Sequence, residues 1–394
     1  MVYSERQAFR VRIKYNFRAL KRKEFAKIQK NRNFANPIVT NTPIHHKETM
    51  ITHDLDMALR DAVSMVPENQ IFILTDTNTH VHCLPLVQKT LNLPEQQVLC
   101  IEAGDANKTL ATVEQIWHFL FEHNATRHSV LVNVGGGMVS DIGGFAASTY
   151  MRGMKYVNVA TTLLSDIDAA SGGKTGINYN GIKNGIGLFA QPKSVIICLD
   201  FLRTLPPEEF LSGFAEMLKH ALISSPLELD RLLTYDIDKR DLQSLETLIQ
   251  RSIVVKSYIV EQDPEESGMR KTLNFGHTVG HALEQMSLMQ NKAMPHGYAV
   301  FYGLLAEMYM SVKMLSLNEA VIKQCLPLFY NYYGKPQCSC KDMNTLIELM
   351  HHDKKNLSSD KVNCTLLQVV GNARIDRQCD DQLILEALDW LFSL

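Results

Sequence analysis

The chain has 394 residues, of which 45% are hydrophobic and 21% charged, and its formal net charge is −2 at pH 7. This length exceeds one average hydrophobic core and predicts two domains. The near-neutral charge gives no reason to expect a nucleic acid or an acidic membrane surface as a partner. No apolar run approaches the roughly 20 residues that a membrane span requires.

The first segment, residues 1–47, differs in composition from the rest of the chain. From Met1 to Arg32 it contains eleven Lys or Arg residues and two Glu residues, without a clean apolar face. A basic leader of this kind is typical of a transit peptide, of a disordered tail, or of sequence upstream of a start at Met50. We expect a poorly ordered tail without a catalytic role.

Eight cysteines are scattered through the chain, several of them inside apolar runs. This placement predicts buried free thiols. Cys338 and Cys340 lack the spacing and the second ligand pair of a structural metal site. Reduced cysteines without a signal peptide predict a cytoplasmic protein.

From Asp54 onward, short apolar runs alternate with helix-like segments. The runs predicted as strands are 71–75, 98–101, 129–134, 156–160 and 195–199. This alternation predicts an α/β domain over residues 48–204, with an open and largely parallel sheet. Ligands of such sheets bind beyond the carboxyl ends of the strands, which is where Asp76, Asn78 and Lys108 fall.

Three consecutive glycines, Gly135 to Gly137, follow the third predicted strand and precede a helix-like segment. Glycine lets the backbone approach a pyrophosphate closely, and the first amides of a following helix point at the anion. The triplet can also be turn chemistry alone, since it is not the G-x-G-x-x-G fingerprint. Polar and charged residues crowded among small ones favour a phosphate-rich ligand; they are Asp141, Arg152, Thr161, Thr162, Asp168, Lys174, Lys183 and Asn184.

After Pro207 the sequence pattern changes to helices. The predicted helices cover residues 208–223, 227–233, 242–260, 278–289, 297–315, 320–332 and 343–352, and only residues 362–370 read as extended. We therefore place a domain boundary near residue 204 and predict an all-helical domain over residues 205–394.

The helical half contains three histidines beside or near glycine: His277, His281 and His296. His277 and His281 are four residues apart and share one helix face, although no glutamate stands between them as in H-E-x-x-H. A lone histidine is usually only a satisfied core or surface residue. Three of them with Glu216 on another predicted helix favour a metal held by three protein ligands, with an open catalytic position.

Ten motifs, taken in chain order, resemble those of the 3-dehydroquinate synthase family. They are GGGxxxD, TTLLxxxD, GGKT, KNxIG, QP, TLPxE, SGxAExxK, LNxGHTxGHAxE, HG and DKK. The resemblance covers about residues 70–370. It implies an α/β NAD-binding domain followed by a helical metal-binding domain, as in the iron-dependent alcohol dehydrogenases and the glycerol dehydrogenases.

The resemblance also implies a reaction. A member of this family converts 3-deoxy-D-arabino-heptulosonate 7-phosphate, a sugar acid phosphate of the shikimate pathway, into 3-dehydroquinate and phosphate. The steps are transient oxidation by NAD, elimination of phosphate, reduction, and an intramolecular aldol closure. The implied ligands of Zn²⁺ or Co²⁺ are Glu216, His277 and His296, which moves His281 from the metal to the substrate pocket.

The remaining site residues are carried over by the same resemblance. The implied NAD contacts are Asp76, Asn78, Asp105, Lys108, Gly136, Gly137, Asp141, Thr161, Thr162, Lys174, Lys183 and the turn from Phe201 to Thr204. The implied substrate contacts are Asp168, Lys174, Asn184, Lys219, Lys256, Arg270, Asn274, His281 and Lys355. Arg152 matches an arginine that reaches the phosphate site of the neighbouring subunit, which implies a homodimer.

Four positions depart from the family pattern. Asp105 stands in place of Glu, Ala160 in place of Pro, Ile182 in place of Gly, and Tyr298 in place of Glu. The shorter side chain of Asp105 puts its contact with the cofactor ribose in question, and Tyr298 could alter metal affinity. None of the four removes a predicted metal ligand, so we expect an active enzyme.

Three alternative functions remain open from the sequence. Another sugar phosphate cyclase would alter the residues that hold the substrate carboxylate, and these are retained. An alcohol or glycerol dehydrogenase would not need so many cations and would lack the GGKT and LNxGHT motifs. A non-catalytic NAD-binding scaffold would have no use for an open metal site.

Overall fold

The structure is a computed structural model that describes residues 49–170, 172–180, 182–352 and 361–394. The basic leader, residues 1–47, and Lys355 lie outside the described residues, so the expectations for them stay predictions. The described residues belong to one compact unit. The proposed boundary near residue 204 also stays a prediction.

Strands of the first half form a parallel sheet and a separate hairpin. In chain order they are β1 (Thr49–Ile51), β2 (Ile71–Asp76), β3 (Val98–Ile101), β4 (Val130–Gly135), β5 (Lys155–Ala160), β6 (Lys174–Tyr179), β7 (Ile182–Phe189) and β8 (Ser194–Ile197). The six-stranded sheet has the order β1-β8-β5-β4-β2-β3, and all its neighbouring strands are parallel. The five predicted strands are confirmed, while β1 was not predicted.

Helices cover both faces of this sheet. They are α1 (Leu55–Val63), α2 (Thr77–His82), α3 (Leu84–Leu91), α4 (Leu110–Glu122) and α5 (Gly137–Thr149). One hydrophobic cluster joins Leu59 and Val87 to Ile73 of β2. A second joins Ile116 to Phe72, the adjacent residue of β2, on the opposite face. Because successive strand residues point to opposite faces, β2 is buried on both sides and reads as a continuous apolar run.

The antiparallel hairpin of β6 and β7 was not predicted. Its strands contain several glycines, and a Cβ on Gly187 would lie only 2.3 Å from the main-chain oxygen of Thr175. Most of β7 is exposed. A strand without a buried face has no alternating pattern, so its sequence does not stand out.

The second half is mainly helical. Its helices are α6 (Pro207–Ser224), α7 (Pro226–Leu233), α8 (Leu242–Gln262), α9 (His277–Met289), α10 (His296–Leu315), α11 (Ala320–Leu328), α12 (Met343–His351) and α13 (Asp381–Ser393). Strand β9 (Val362–Val369) matches the predicted extended segment and pairs with the unpredicted β10 (Asn372–Cys379). The second half is therefore not all-helical, and α13 was also not predicted.

Helices α9 and α10 pack with their backbones in contact. A Cβ on Gly303 of α10 would lie 1.9 Å from the main-chain oxygen of Gly276, and one on Gly280 would lie 2.9 Å from that of Ala299. Only glycine permits this approach. Among the described residues, no helix is both long enough and apolar enough to cross a membrane.

Candidate active site

Three side chains that commonly bind metals meet in the helical half. Glu216 lies within α6, while His277 and His296 are the first residues of α9 and α10. The Nε2 atoms of both histidines lie 3.3 Å from Glu216 Oε1, and the potential ligand atoms are all within 4.8 Å of one another. Glu216 is fully buried, and neither of its oxygens has a hydrogen bond of ordinary geometry to the described residues. This donor set fits a divalent metal such as Zn²⁺.

Buried charges surround Glu216. Lys219 Nζ contacts Glu216 Oε2 and lies 3.8 Å from Asp168 Oδ2. Burial alone would raise the pKa of Glu216, but Lys219 and His277 outweigh it and hold the pKa well below its ordinary value. Burial likewise opposes the charge of Lys219, yet Glu216 and Asp168 raise its pKa. Both groups are therefore ionised in the interior, as a buried pair requires.

Asp168 links the two halves of the chain. It lies in a π-helical turn, Ser165–Ala169, that follows β5; such turns are frequent at functional sites. Its carboxylate and its main-chain oxygen both contact Lys256 Nζ from α8. Burial would raise the pKa of Asp168, but Lys256 and Lys219 lower it. The result is a largely buried cluster of two lysines and two carboxylates.

The segment before α9 adds further polar groups. Arg270 donates from Nη1 to the main-chain oxygen of Pro264 at 2.6 Å and from Nη2 to that of Gly172 at 3.1 Å. Its buried Nε has no hydrogen-bond partner among the described residues. The guanidinium is thus fixed by main-chain oxygens and joins the β6 end of the hairpin to the helical half.

Glu266 is a site residue that the sequence analysis missed. Its carboxylate contacts Lys174 Nζ and accepts a hydrogen bond of 3.0 Å from Asn274 Nδ2. Both partners are predicted substrate contacts. Glu266 has a φ of 62°, which is uncommon for a residue with a side chain and frequent at functional sites. Only its position seven residues before the LNxGHT motif, which begins at Leu273, could have indicated a role.

Glu307 also escaped the sequence analysis. It lies in the apolar interior of α10, fully buried. Its carboxylate accepts main-chain N–H groups of Gly276 at 2.6 Å, Thr278 at 2.9 Å and Val279 at 3.2 Å. These donors are at the first turn of α9, so Glu307 fixes the backbone that carries His277.

His281, one turn after His277 on α9, faces the same region. Its ring centroid is 5.2 Å from that of His277 and 6.1 Å from that of His296. A second possible metal group consists of His281, Glu284 and His296. His296 is common to both groups.

Predicted NAD contacts gather at the carboxyl edge of the sheet. Asp76, at the end of β2, accepts the N–H groups of Asn78 and Thr79 at 3.0 and 2.7 Å. Gly136 precedes the first residue of α5 and follows β4, and a Cβ there would lie 3.0 Å from Thr162 Cγ2, beyond the end of β5. Three strand ends therefore bring these residues to one edge. The main chain has little space there for a side chain in place of glycine.

An ionic cluster extends from this edge. Lys108 Nζ lies 2.9 Å from Asp141 Oδ2 and 3.6 Å from Asp105 Oδ1. Lys183 Nζ on β7 lies 3.7 Å from Asp105 Oδ2. Burial opposes ionisation of Asp105, but Lys183 and Lys108 lower its pKa. The shorter side chain at position 105 thus still reaches both lysines.

Other predicted site residues lie at the margins. Asn184 is exposed on β7 with a φ of 50°, and Phe201 is buried while the hydroxyl of Thr204 donates to its main-chain oxygen. Arg152 is exposed before the amino end of β5, at the edge opposite the carboxyl ends. A strand of this length spans about 20 Å. Within this chain Arg152 is therefore not brought to the other site residues.

Solved structures of sugar phosphate cyclases share the fold of this chain. The chain superposes on 2-epi-5-epi-valiolone synthase from Streptomyces hygroscopicus, solved with NAD⁺ and Zn²⁺ bound, with a TM-score of 0.76, 23% identity and coverage of 90% of this chain and 99% of that one. A 2-deoxy-scyllo-inosose synthase complexed with carbaglucose-6-phosphate, NAD⁺ and Co²⁺ gives a TM-score of 0.72, 24% identity and coverage of 84% and 94%. The fold is thus that of the sugar phosphate cyclases.

Sequence comparison identifies the family. Sequence models of the N-terminal and C-terminal parts of 3-dehydroquinate synthase match residues 98–212 and 213–356. The 3-dehydroquinate synthase of Parabacteroides distasonis is 44% identical over 344 residues, which cover 87% of this chain and 97% of that protein. The chain belongs to the 3-dehydroquinate synthase family, which confirms the resemblance found in the motifs.

Proposed function

We propose that this chain is an enzyme that converts 3-deoxy-D-arabino-heptulosonate 7-phosphate into 3-dehydroquinate and phosphate, with NAD and a divalent metal ion as cofactors. The observation that carries the proposal is the position of Glu216, His277 and His296 beside several buried cationic side chains. A substrate with both a carboxylate and a phosphate needs such cations. A simple polyol substrate would not.

Glu216, His277 and His296 would hold Zn²⁺ or Co²⁺, and the carboxyl edge of the sheet would hold NAD. When bound, the metal lowers the pKa of a coordinated substrate hydroxyl, and NAD accepts and returns a hydride. The support is the buried, poorly satisfied carboxylate of Glu216 facing two imidazoles. The two similar structures contain NAD⁺ together with Co²⁺ or Zn²⁺.

The cations of the pocket bind and orient the substrate anions. Arg270 presents a planar guanidinium that main-chain oxygens hold in place, which suits bidentate contact with a carboxylate. Lys219 and Lys256 are buried around Asp168, so their charges act in a medium of low dielectric constant. Fixing one conformer of a flexible sugar acid lowers the entropic part of the barrier.

Lys174 and Asn274 would contact the substrate from the opposite side. In the structure both contact Glu266. Glu266 therefore holds the amine of Lys174 and the amide of Asn274 close to each other. An anionic group of the substrate would share the amine of Lys174 with the carboxylate of Glu266. Burial alone would raise the pKa of Glu266, but Lys174 lowers it.

We also propose a homodimer, in which Arg152 serves the site of the partner subunit. Two observations support this. Arg152 lies away from the candidate active site of its own chain, and the hairpin has exposed apolar side chains. Ile182 and Phe189 of β7 are 59% and 62% exposed, and Ile186 and Leu188 are exposed with them. Ile182, Ile186 and Leu188 alternate along β7 and share one of its faces, and an exposed apolar face of this kind is typical of an interface. A cytoplasmic location agrees with cysteines that are all free.

The proposed function is tested by phosphate release from 3-deoxy-D-arabino-heptulosonate 7-phosphate with NAD⁺ and Zn²⁺, before and after chelation. We expect metal-dependent release with 3-dehydroquinate as product and no accumulation of NADH. Steady NADH production from a polyol would instead indicate a dehydrogenase. Turnover only of a sugar phosphate without the carboxylate would indicate a different cyclase.

A further inference from the structure

Glu284, on α9, has a role that the reaction described above does not assign. It is buried, and its two oxygens have different partners. Oε2 lies 3.2 Å from Nδ1 of His296, while Oε1 contacts Nζ of Lys183. One carboxylate thus joins a proposed metal ligand to a proposed cofactor contact.

The contact with His296 determines which of its nitrogens can bind a metal. With Nδ1 hydrogen-bonded to a carboxylate, Nε2 is the nitrogen available to the ion. Nε2 is also the atom that faces Glu216, at 3.3 Å. Glu284 therefore fixes both the tautomer and the ring orientation that the proposed ligand set needs.

The contact with Lys183 extends toward the sheet. Lys183 lies on the exposed strand β7, yet its amine is drawn to Glu284 and lies 3.7 Å from Asp105. Asp105 is in turn close to Lys108, at 3.6 Å. A chain of charged groups therefore runs from the start of α10 to the carboxyl edge of the sheet, and Glu284 connects the two ends of this chain.

The electrostatics agree with this geometry. Burial alone would raise the pKa of Glu284, but His296 and Lys183 outweigh it and keep the carboxyl ionised. A single negative charge therefore attracts two partners from different parts of the chain. Neutralising it would weaken both contacts at once.

We propose that Glu284 is a positioning residue that holds His296 for the metal and Lys183 for the dinucleotide. This inference rests on the proposed ligand set of Glu216, His277 and His296. The geometry allows a rival arrangement, in which Glu284 is itself a ligand together with His281 and His296. The contact of Glu284 with Lys183 and with the far nitrogen of His296 favours the positioning role.

The test compares Glu284→Gln with Glu228→Gln, a matched control. Glu228 is also a buried carboxylate of the helical half, 2.7 Å from Arg231 Nη1 and 3.0 Å from Arg251 Nη1, and it has no part in the proposed site. Zn²⁺ affinity is measured by competition with a chromophoric chelator, and NAD⁺ affinity of the metal-free protein by calorimetry. Glu284→Gln should weaken Zn²⁺ binding about 10- to 100-fold and NAD⁺ binding several-fold, whereas Glu228→Gln should change neither by more than about twofold.

A double-mutant cycle with Lys183→Met separates positioning from general damage. If Glu284 acts on NAD⁺ through Lys183, the double variant binds NAD⁺ no more weakly than Lys183→Met alone. Additive losses would overturn the proposal, and so would unchanged Zn²⁺ affinity in Glu284→Gln. Should Glu284→Gln not fold, Glu284→Asp decides by the same readings, because its shorter side chain cannot span both partners.

The ligand assignment is tested separately. Loss of Zn²⁺ binding in His281→Asn, with binding retained in His277→Asn, would establish the rival ligand set and overturn the positioning role. If Glu216→Gln binds Zn²⁺ as tightly as the unaltered protein, the proposed ligand set fails whatever Glu284 does. Weakened binding in Glu284→Gln together with loss in Glu216→Gln supports both.

Discussion

The two regions that form the site are built in different ways. At the carboxyl edge of the sheet, space is made by leaving side chains out, since a Cβ on Gly136 would come within 3.0 Å of Thr162. In the helical half, space is lined by charges that are removed from water, with Glu216 and Lys219 almost completely buried. The main-chain amides of the glycine turn are held by the backbone itself and need no charged partner. Buried charges persist only in pairs, because removing one partner of such a pair is strongly destabilising.

This contrast teaches where substitutions should do most damage. At the glycine turn of the sheet edge, a substitution such as Gly136→Ala changes the shape of the main-chain surface and adds no charge. In the helical half a substitution leaves an uncompensated charge that affects its neighbours through a chain of contacts. The predictions below test that difference.

The largest effect is expected from Glu216→Gln. It removes the charge of a proposed metal ligand and leaves Lys219 without its nearest buried partner. We therefore expect kcat/KM for phosphate release to fall by about a thousandfold or more, beyond the ~10²-fold typical of losing one stabilising dipole. The free energy of unfolding should also fall, by about 3–5 kcal/mol, as for other broken buried pairs. Steady-state kinetics and urea denaturation measure the two. An unfolding free energy equal to that of the unaltered protein would show that the charges are not coupled.

A smaller loss is expected from Arg270→Lys. A lysine retains the positive charge but cannot donate to Pro264 and Gly172 while presenting a planar face to the substrate. We expect kcat/KM to fall about 10- to 100-fold, corresponding to about 1.4–2.7 kcal/mol of transition-state stabilisation. Arg251→Lys, outside the site, is the control. Equal kinetics for the two variants would mean that charge alone matters at position 270.

At the sheet edge, Gly136→Ala should act on the cofactor alone. The added methyl group would have to displace Thr162 by a few tenths of an ångström, and it would keep a pyrophosphate from the main chain. NAD⁺ affinity should fall about tenfold, or about 1.4 kcal/mol, while Zn²⁺ affinity stays unchanged. Calorimetric titration with each ligand tests this. If Zn²⁺ affinity fell by a similar factor, the glycine turn and the charged cluster would not act independently, and the prediction would be wrong.

The smallest effect concerns pH. Although burial opposes it, Glu284 raises the pKa of His296 in the metal-free protein to about 9. The protonated ring therefore stabilises the folded protein fully at pH values below about 6.5, the ordinary pKa of histidine. This contribution is lost as the pH rises toward about 9. Zn²⁺ must displace that proton, so the increase in Tm on adding Zn²⁺ should grow by a few degrees between these pH values. Thermal unfolding with and without Zn²⁺ measures it, and a shift independent of pH would contradict it.

Much of the fold could be predicted from the sequence because its pattern is strong where a strand is buried on both faces. The run from Ile71 to Thr75 and the run from Val130 to Val134 are examples, since every residue of both is buried. The hairpin of β6 and β7 could not be predicted, because β7 is exposed and rich in glycine. Nor could β10, whose residues alternate only weakly between buried and exposed.

The site divides in the same manner. Residues within continuous motifs, such as Glu216 and His277, could be assigned by resemblance. Glu266 and Glu307 could not, because their roles depend on partners far along the chain or on main-chain donors. In the sequence, Glu307 is only a carboxylate that interrupts an apolar helix. Its role becomes clear from the structure, where it accepts hydrogen bonds from N–H groups at the start of α9.

The glycine contacts between α9 and α10 have a consequence for metal selection. His277 and His296 each begin one of these helices, and Gly303 lies about two turns after His296. The separation of the two imidazoles therefore depends on how closely the two backbones approach, which is a mechanical property of the crossing. A methyl group at position 303, which is not one of the proposed ligands, would push the helices apart and make the proposed site favour an ion of larger radius. The size of ion that the proposed ligands accept would then be set at a distance, by residues that have no side chain at all.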